Sequence, residues 1–171
     1  NQFAPFPHAR SRLVTESVES VFKGIIGSYG MVRGAPAFIA FIGDMDDPFV
    51  QEKVGYTGEG IILEATGLGL GTCWVAGFFR PKAVASLIDI SDGERVLAVT
   101  PVGYARQSES WEERSMSRFG RSHNRQPLSK LARGLPRERW PDWVNVSLEA
   151  ARLAPSAANR QPWGFDVQDD D

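Results

Sequence analysis

The densest run of chemically versatile side chains is Pro155-Ser156-Ala157-Ala158-Asn159-Arg160-Gln161-Pro162-Trp163. It packs a hydroxyl, two amides, a guanidinium and two prolines into nine residues. Prolines fix the backbone and reduce its freedom. Ser, Asn and Gln each donate and accept hydrogen bonds. A stiff segment with mixed donors and acceptors suits a heteroaromatic ring with alternating carbonyl and nitrogen groups, and an isoalloxazine is such a ring. A polar helix-to-strand connection without function has the same composition. From residue types alone, that plainer reading is the commoner one.

Other chemistry is poorly served. The two histidines, His8 and His123, and the single cysteine, Cys73, have no spacing typical of a zinc or iron site, so no metal is expected. Ser156 does not lie in a Gly-x-Ser-x-Gly elbow. Cys73 sits in an apolar run and reads as core rather than nucleophile. Gly67-x-Gly69-x-Gly71 looks like a phosphate loop. The dinucleotide fingerprint, however, needs a strand before the glycines and a helix after them. Here a helical pattern comes first and a strand follows. A helix C-cap is the expected role, with close approach of the backbone to a flat ligand as a secondary one. Glu59 is the tempting carboxylate, and a structural role in a packed helix is expected for it. No acid–base residue is named.

These residues need a scaffold, and composition allows one. The chain has 171 residues, 42% apolar and 23% charged, which is ordinary for a globular domain with its own core. A net charge of −2 gives no reason to expect nucleic acid as a partner. Charge is unevenly spread: residues 106–139 hold nine Arg or Lys against four Glu, and residues 166–171 hold four Asp. The basic stretch has few interleaved aromatics, so a solvated loop is expected rather than a nucleic-acid platform. One cysteine permits no internal disulfide, which fits a reducing compartment. No stretch approaches the roughly 20 apolar residues that span a bilayer. The first residues, Asn1-Gln2-Phe3-Ala4-Pro5-Phe6, carry no basic or apolar signal region, so a cytoplasmic location is expected. The chain starts without Met, which suggests a piece of something longer.

Periodicity places the elements. Ser11 caps an expected helix, with Val14, Val18, Val21, Phe22, Ile25 and Ile26 at helical spacing and an end at 27–30. Residues 35–42 read as a buried strand and 43–48 as a loop. A second helix runs from Pro48 or Phe49 to about Leu68, with Val54, Gly58, Ile61, Ile62, Ala65 and Leu68 on one face. Its glycines weaken helicity but permit close approach of another backbone or subunit. Residues 72–76 and 95–102 read as strands, with a short helix over 81–88 between them. Residues 106–135 show no period and read as a long loop that serves a site or a partner. A last helix follows Pro141, with Val144, Leu148, Ala151 and Ala154 in a stripe, and stops at Pro155. Residues 163–167 start a strand.

Three segments in this order resemble the FMN-dependent nitroreductases. The first spans 29–39, beginning Tyr29-Gly30-Met31. The second spans 55–74, with Gly67-Leu68-Gly69-Leu70-Gly71-Thr72-Cys73-Trp74, and is followed by Gly77-Phe78. The third spans 152–163. The resemblance covers most of residues 20–168. In an ordinary member the Pro-Ser-x-x-Asn-x-Gln-Pro-Trp element precedes the Gly-Leu-Gly turn. Here it follows that turn by about 80 residues, as in the branch where one chain fuses two half-units and imitates a dimer.

The resemblance implies an α+β, nitroreductase-like fold: a central, mostly antiparallel sheet flanked by helices. It implies a first half-unit over 1–135, lacking its N-terminal part with the phosphate-gripping arginines, and an incomplete second half-unit over 136–171. It implies that Pro155, Ser156, Ala157 and Asn159 contact the flavin, with Gln161 fixing their loop. Trp74, Ala76 and Gly77 would line the flavin ring. Arg125 would lie near the FMN phosphate, where a guanidinium is well suited. The expected function is an FMN-dependent oxidoreductase. Hydride would pass by a ping-pong route from NAD(P)H through flavin to a nitroaromatic or quinone-like acceptor. The alternative is a non-catalytic flavin-binding or storage protein. Partners are small molecules, with neither nucleic acid nor membrane, and the assembly is a pseudo-dimeric monomer or a homodimer.

Overall fold

Four segments pair into one antiparallel sheet: β1 (Ala9–Val14), β2 (Ala37–Asp44), β3 (Gly71–Thr72) and β4 (Glu94–Gly103), in the order β1-β2-β4-β3. The computed structural model describes residues 5–22, 32, 34–104 and 124–169. Two compact units divide the chain, Asn1–Glu109 and Ser110–Asp171. The sheet belongs to the first.

The β2 strand is apolar on both faces because both are covered. Phe38 and Ala40 join Val14, Val99 and the helices α1 (Val18–Phe22) and α3 (Pro81–Ala85). Phe41, on the opposite face, packs with Ala9, Ala98, Val50 and Val54 beneath α2 (Val50–Gly67). Two-sided burial turns the expected alternation into a continuous apolar run. In α2 the buried Val50, Val54, Thr57, Gly58 and Ala65 recur at helical spacing. The helix ends as its glycines require. Gly69 has φ +76°, its N–H donates to the Thr66 carbonyl at 2.9 Å, and the Leu70 N–H donates to the Ala65 carbonyl at 2.9 Å. That pair of bonds is a Schellman cap, so the glycine turn terminates a helix instead of opening one.

Several expectations are corrected. The helix expected from Ser11 begins only at Val18; residues 9–14 are strand. The register Ala9↔Gly43 to Val14↔Phe38 and the Arg10–Glu94 ion pair supply long-range stabilisation that overrides a local helical period. Ile25, Ile26 and residues 27–30 lie outside the described residues. The strand expected over 72–76 is interrupted: after Thr72 the ladder resumes only at the Val75↔Val99 bridge. Between them the Cys73 N–H donates to the Thr100 hydroxyl at 3.0 Å. The helix α3 is shorter than expected, ending at Ala85.

The second unit contains α4 (Leu128–Leu131), β5 (Ala132–Gly134), α5 (Asp142–Arg152) and β6 (Phe165–Val167). Strands β5 and β6 pair in parallel, and α5 lies in the crossover that parallel pairing demands. The long loop expected over 106–135 is thus corrected at its C-terminal end, where α4 and β5 are too short to show a period. Residues 105–123, His123 among them, lie outside the described residues. The uneven charge finds a local answer here. Arg139 pairs with Asp169, Arg133 lies 3.7 Å from Asp166, and Arg137 reaches Glu149 at 3.0 Å. Arg152, and after it Arg137, hold the Glu149 carboxyl below the usual range. No helix among the described residues is long and apolar enough to cross a membrane.

Candidate functional site

The 155–163 segment is held in an unusual backbone. After α5 ends, Ala157–Asn159 form a single 3-10 turn, and Ala158, Asn159 and Gln161 have φ of 52°, 52° and 49°. Left-handed backbone is uncommon outside glycine, and three such residues within four positions carry a conformational cost of about 1 kcal/mol or more each. Something must hold them there. The Gln161 N–H donates to the Ser156 hydroxyl at 2.9 Å, and the Asn159 N–H donates to the Ser156 carbonyl at 3.0 Å.

The remaining restraint comes from residues 124–126. The Gln126 N–H donates to Gln161 Oε1 at 2.8 Å, and Gln161 Nε2 donates to the Asn124 carbonyl at 3.2 Å. Asn159 Nδ2 donates to the same carbonyl at 2.9 Å. The guanidinium of Arg125 donates from Nη1 to Asn159 Oδ1 at 3.2 Å and from Nε to the Leu153 carbonyl at 3.2 Å. Gln161 is 7% exposed, one of the few buried polar residues described. Ser156, Asn159, Gln161 and Arg125 therefore form one hydrogen-bonded cluster, with Pro155 and Ala157 exposed beside it. In the same segment the indole Nε1 of Trp163 is buried with no acceptor among the described residues.

Asn124 and Gln126 belong to this cluster, and reading the sequence missed them. A signal existed: the run Asn-Arg-Gln-Pro occurs at 124–127 and again at 159–162. The second copy offers its Asn and Gln side chains to the backbone of the first.

In the first unit Trp74 is fixed by packing. Its Nε1 donates to Glu59 Oε2 at 2.8 Å, and its ring lies 4.8 Å from that of Phe41. A Cβ on Gly58 would fall 2.3 Å from Trp74 Cη2, so α2 carries glycine where the indole crosses it. Glu59 thus has the structural role expected of it. Ala76 and Gly77 are exposed in the bend after the Val75 bridge. Burial pushes the Cys73 thiol up, which makes it a poor nucleophile.

Comparison with known proteins sets this geometry in a family. A family model described as "Putative TM nitroreductase" matches residues 5–171. Among solved structures, a nitroreductase family protein from Clostridium difficile 630 aligns with TM-score 0.50 and 20% identity over 77% of this chain and 74% of its own. An FMN-dependent nitroreductase from Clostridium difficile R20291 aligns with TM-score 0.49 and 20% identity, over 60% of this chain and 66% of its own. A nitroreductase with bound FMN from Bacteroides fragilis NCTC 9343 aligns with TM-score 0.47 and 16% identity, over 62% of this chain and 70% of its own. Comparison with curated proteins finds no match. The first structure has the same fold, a sheet flanked by helices.

Proposed function

Since the chain belongs to this nitroreductase family, we propose that it is an FMN-dependent oxidoreductase, with the flavin held by residues of the 155–163 segment. The observation that carries this reading is the strained, cross-braced backbone at Ala158, Asn159 and Gln161. Costly backbone maintained by a network of side-chain hydrogen bonds marks segments under functional demand.

The residues present fit a flavin. The Ser156 hydroxyl accepts the Gln161 N–H and keeps its own proton to donate. The buried Trp163 N–H has no acceptor among the described residues, which leaves a donor unsatisfied in this segment. Pro155 and Ala157 present small, stiff, exposed surface. Arg125 carries a planar cation whose fork geometry suits the FMN phosphate. Ala76 and Gly77, exposed with little side chain, and Trp74 are proposed to line the ring. When bound, FMN supplies two-electron redox chemistry of the ping-pong kind, between NAD(P)H as hydride donor and a nitroaromatic or quinone-like acceptor. The chain's own part is binding, orientation and exclusion of water.

The half-unit organisation, 1–135 followed by 136–171, stands with this proposal, as do a pseudo-dimeric or homodimeric assembly and a cytoplasmic location. Titration with FMN tests the binding assignment. Asn159→Ala and Ser156→Ala are expected to weaken FMN at least about tenfold each, the scale of a lost hydrogen bond plus a relaxed loop. Unchanged affinity in both variants would refute the site.

A further inference from the structure

We propose that the outer edge of β1 pairs antiparallel with β1 of a second copy of this chain, joining two sheets across a two-fold axis at Leu13. The proposal is independent of the flavin reading above, and neither falls with the other.

Strand β1 is at the edge of its sheet, and among the described residues no strand pairs with its outer side. The ladder shows which groups face outward. The Asp44 N–H donates to the His8 carbonyl at 3.1 Å, next to the Ala9↔Gly43 pair. Antiparallel bonding alternates along a strand, so the backbones of Arg10, Arg12 and Val14 serve β2, and those of Ala9, Ser11 and Leu13 turn outward. The Ala9 N–H agrees, since it donates to the Phe6 carbonyl at 3.2 Å. A groove follows the same edge, with residues 12–16 on one side and 85–89 on the other. Arg10 holds that second wall, donating to the Asp89 carbonyl at 2.8 Å. Leu13 is 64% exposed here. An open edge carrying a large apolar side chain is a template for another strand.

Self-complementarity decides which strand. Residues 10–16 read Arg-Ser-Arg-Leu-Val-Thr-Glu. Laid antiparallel on itself about Leu13, this run sets Arg10 opposite Glu16 and Ser11 opposite Thr15, each twice, with Arg12 diagonal to Glu16. Opposite charges and paired hydroxyls are both favourable cross-strand neighbours. Arg12 and Glu16 are exposed and have no ion partner among the described residues, so the pairing gives each a counter-charge. Ser11 and Leu13, with Thr15 continuing their alternation, then exchange about six backbone hydrogen bonds with the other copy. Centring the pair on Ser11 or Arg12 sets arginine against arginine, and centring it on Val14 leaves Arg10 out. The plainer competitor is that Arg10 and Arg12 are edge charges that keep other strands away.

Sedimentation of the full chain separates the two. Wild type is expected to dimerise with a dissociation constant of about 0.1 mM or tighter, the range of a small interface. Leu13→Pro removes only an outward N–H, which an edge strand tolerates. It is expected to weaken the dimer at least about tenfold through lost backbone bonds. Because residue 13 meets its own counterpart, Leu13→Asp and Leu13→Lys each set like charges across the axis. Each should weaken the dimer about fivefold or more, and an equimolar mixture of the two should associate about fivefold more tightly than either alone.

Wild type that stays monomeric at about 0.5 mM would overturn the proposal. So would a dimer that Leu13→Pro leaves unchanged, since such a dimer is joined elsewhere, or a mixture that associates no better than its parts. If circular dichroism shows that Leu13→Pro does not fold, the Asp and Lys variants and their mixture decide the matter, with the same outcomes on either side.

Discussion

The Gln126 N–H donates to the side chain of Gln161 at 2.8 Å, joining two copies of one tetrapeptide across 35 residues of chain. Gln161 is buried and Gln126 exposed, so this bond is partly shielded from solvent. The Gln126 amide is therefore expected to exchange with deuterium at least about tenfold more slowly than an open loop amide. Gln161→Met should abolish the protection. Fast exchange in the wild type, read by NMR, would contradict the clasp.

Two glycines of α2 predict opposite outcomes. A Cβ on Gly58 would meet the rigid indole of Trp74 at 2.3 Å, whereas one on Gly55 would meet nothing within 4 Å. Gly58→Ala is expected to destabilise by about 1–3 kcal/mol through overpacking. Gly55→Ala is expected to stabilise by about 0.5–1 kcal/mol through helix propensity alone. Urea midpoints of the two variants check both signs.

Acid stability is tied to one ion pair. Arg10 binds Glu94 through two nitrogens, at 2.6 and 2.5 Å, and holds its carboxyl at about 2 against an ordinary 4.5. The folded protein binds this proton more weakly than the unfolded chain does. The stability from the pair is therefore complete above pH 4.5 and is lost as pH falls through 2. Both side chains keep some solvent contact, so the contribution is on the order of 1 kcal/mol. Arg10→Gln should flatten the fall in urea midpoint over that window. An unchanged slope would exclude the pair as its source.

How much of this was legible depends on where the stabilising contacts lie. The 50–67 helix and its glycine cap could be read because their determinants are local: a helical stripe and a left-handed Gly69. The β1 strand could not, since Arg10, Ser11 and Arg12 become strand through pairing with β2 and the partner Glu94. The loop around Ser156 was visible as a stiff polar run. Its bracing by Asn124 and Gln126 was not, because that pairing is a fact of tertiary structure hinted at only by the repeated Asn-Arg-Gln-Pro. Trp74 was visible as a motif residue, while its seat on Gly58 and Glu59 required the crossing of α2 with the strand end.

A chain that moves electrons through a bound flavin must exchange them with a nicotinamide. The direct measurement is the absorbance of the FMN-loaded protein near the flavin bands, under anaerobic conditions, on adding NADH or NADPH. One of them is expected to bleach these bands, and a quinone or nitroaromatic to restore them. Tightly bound FMN that neither nucleotide bleaches would contradict the account and leave a flavin-storage protein in its place.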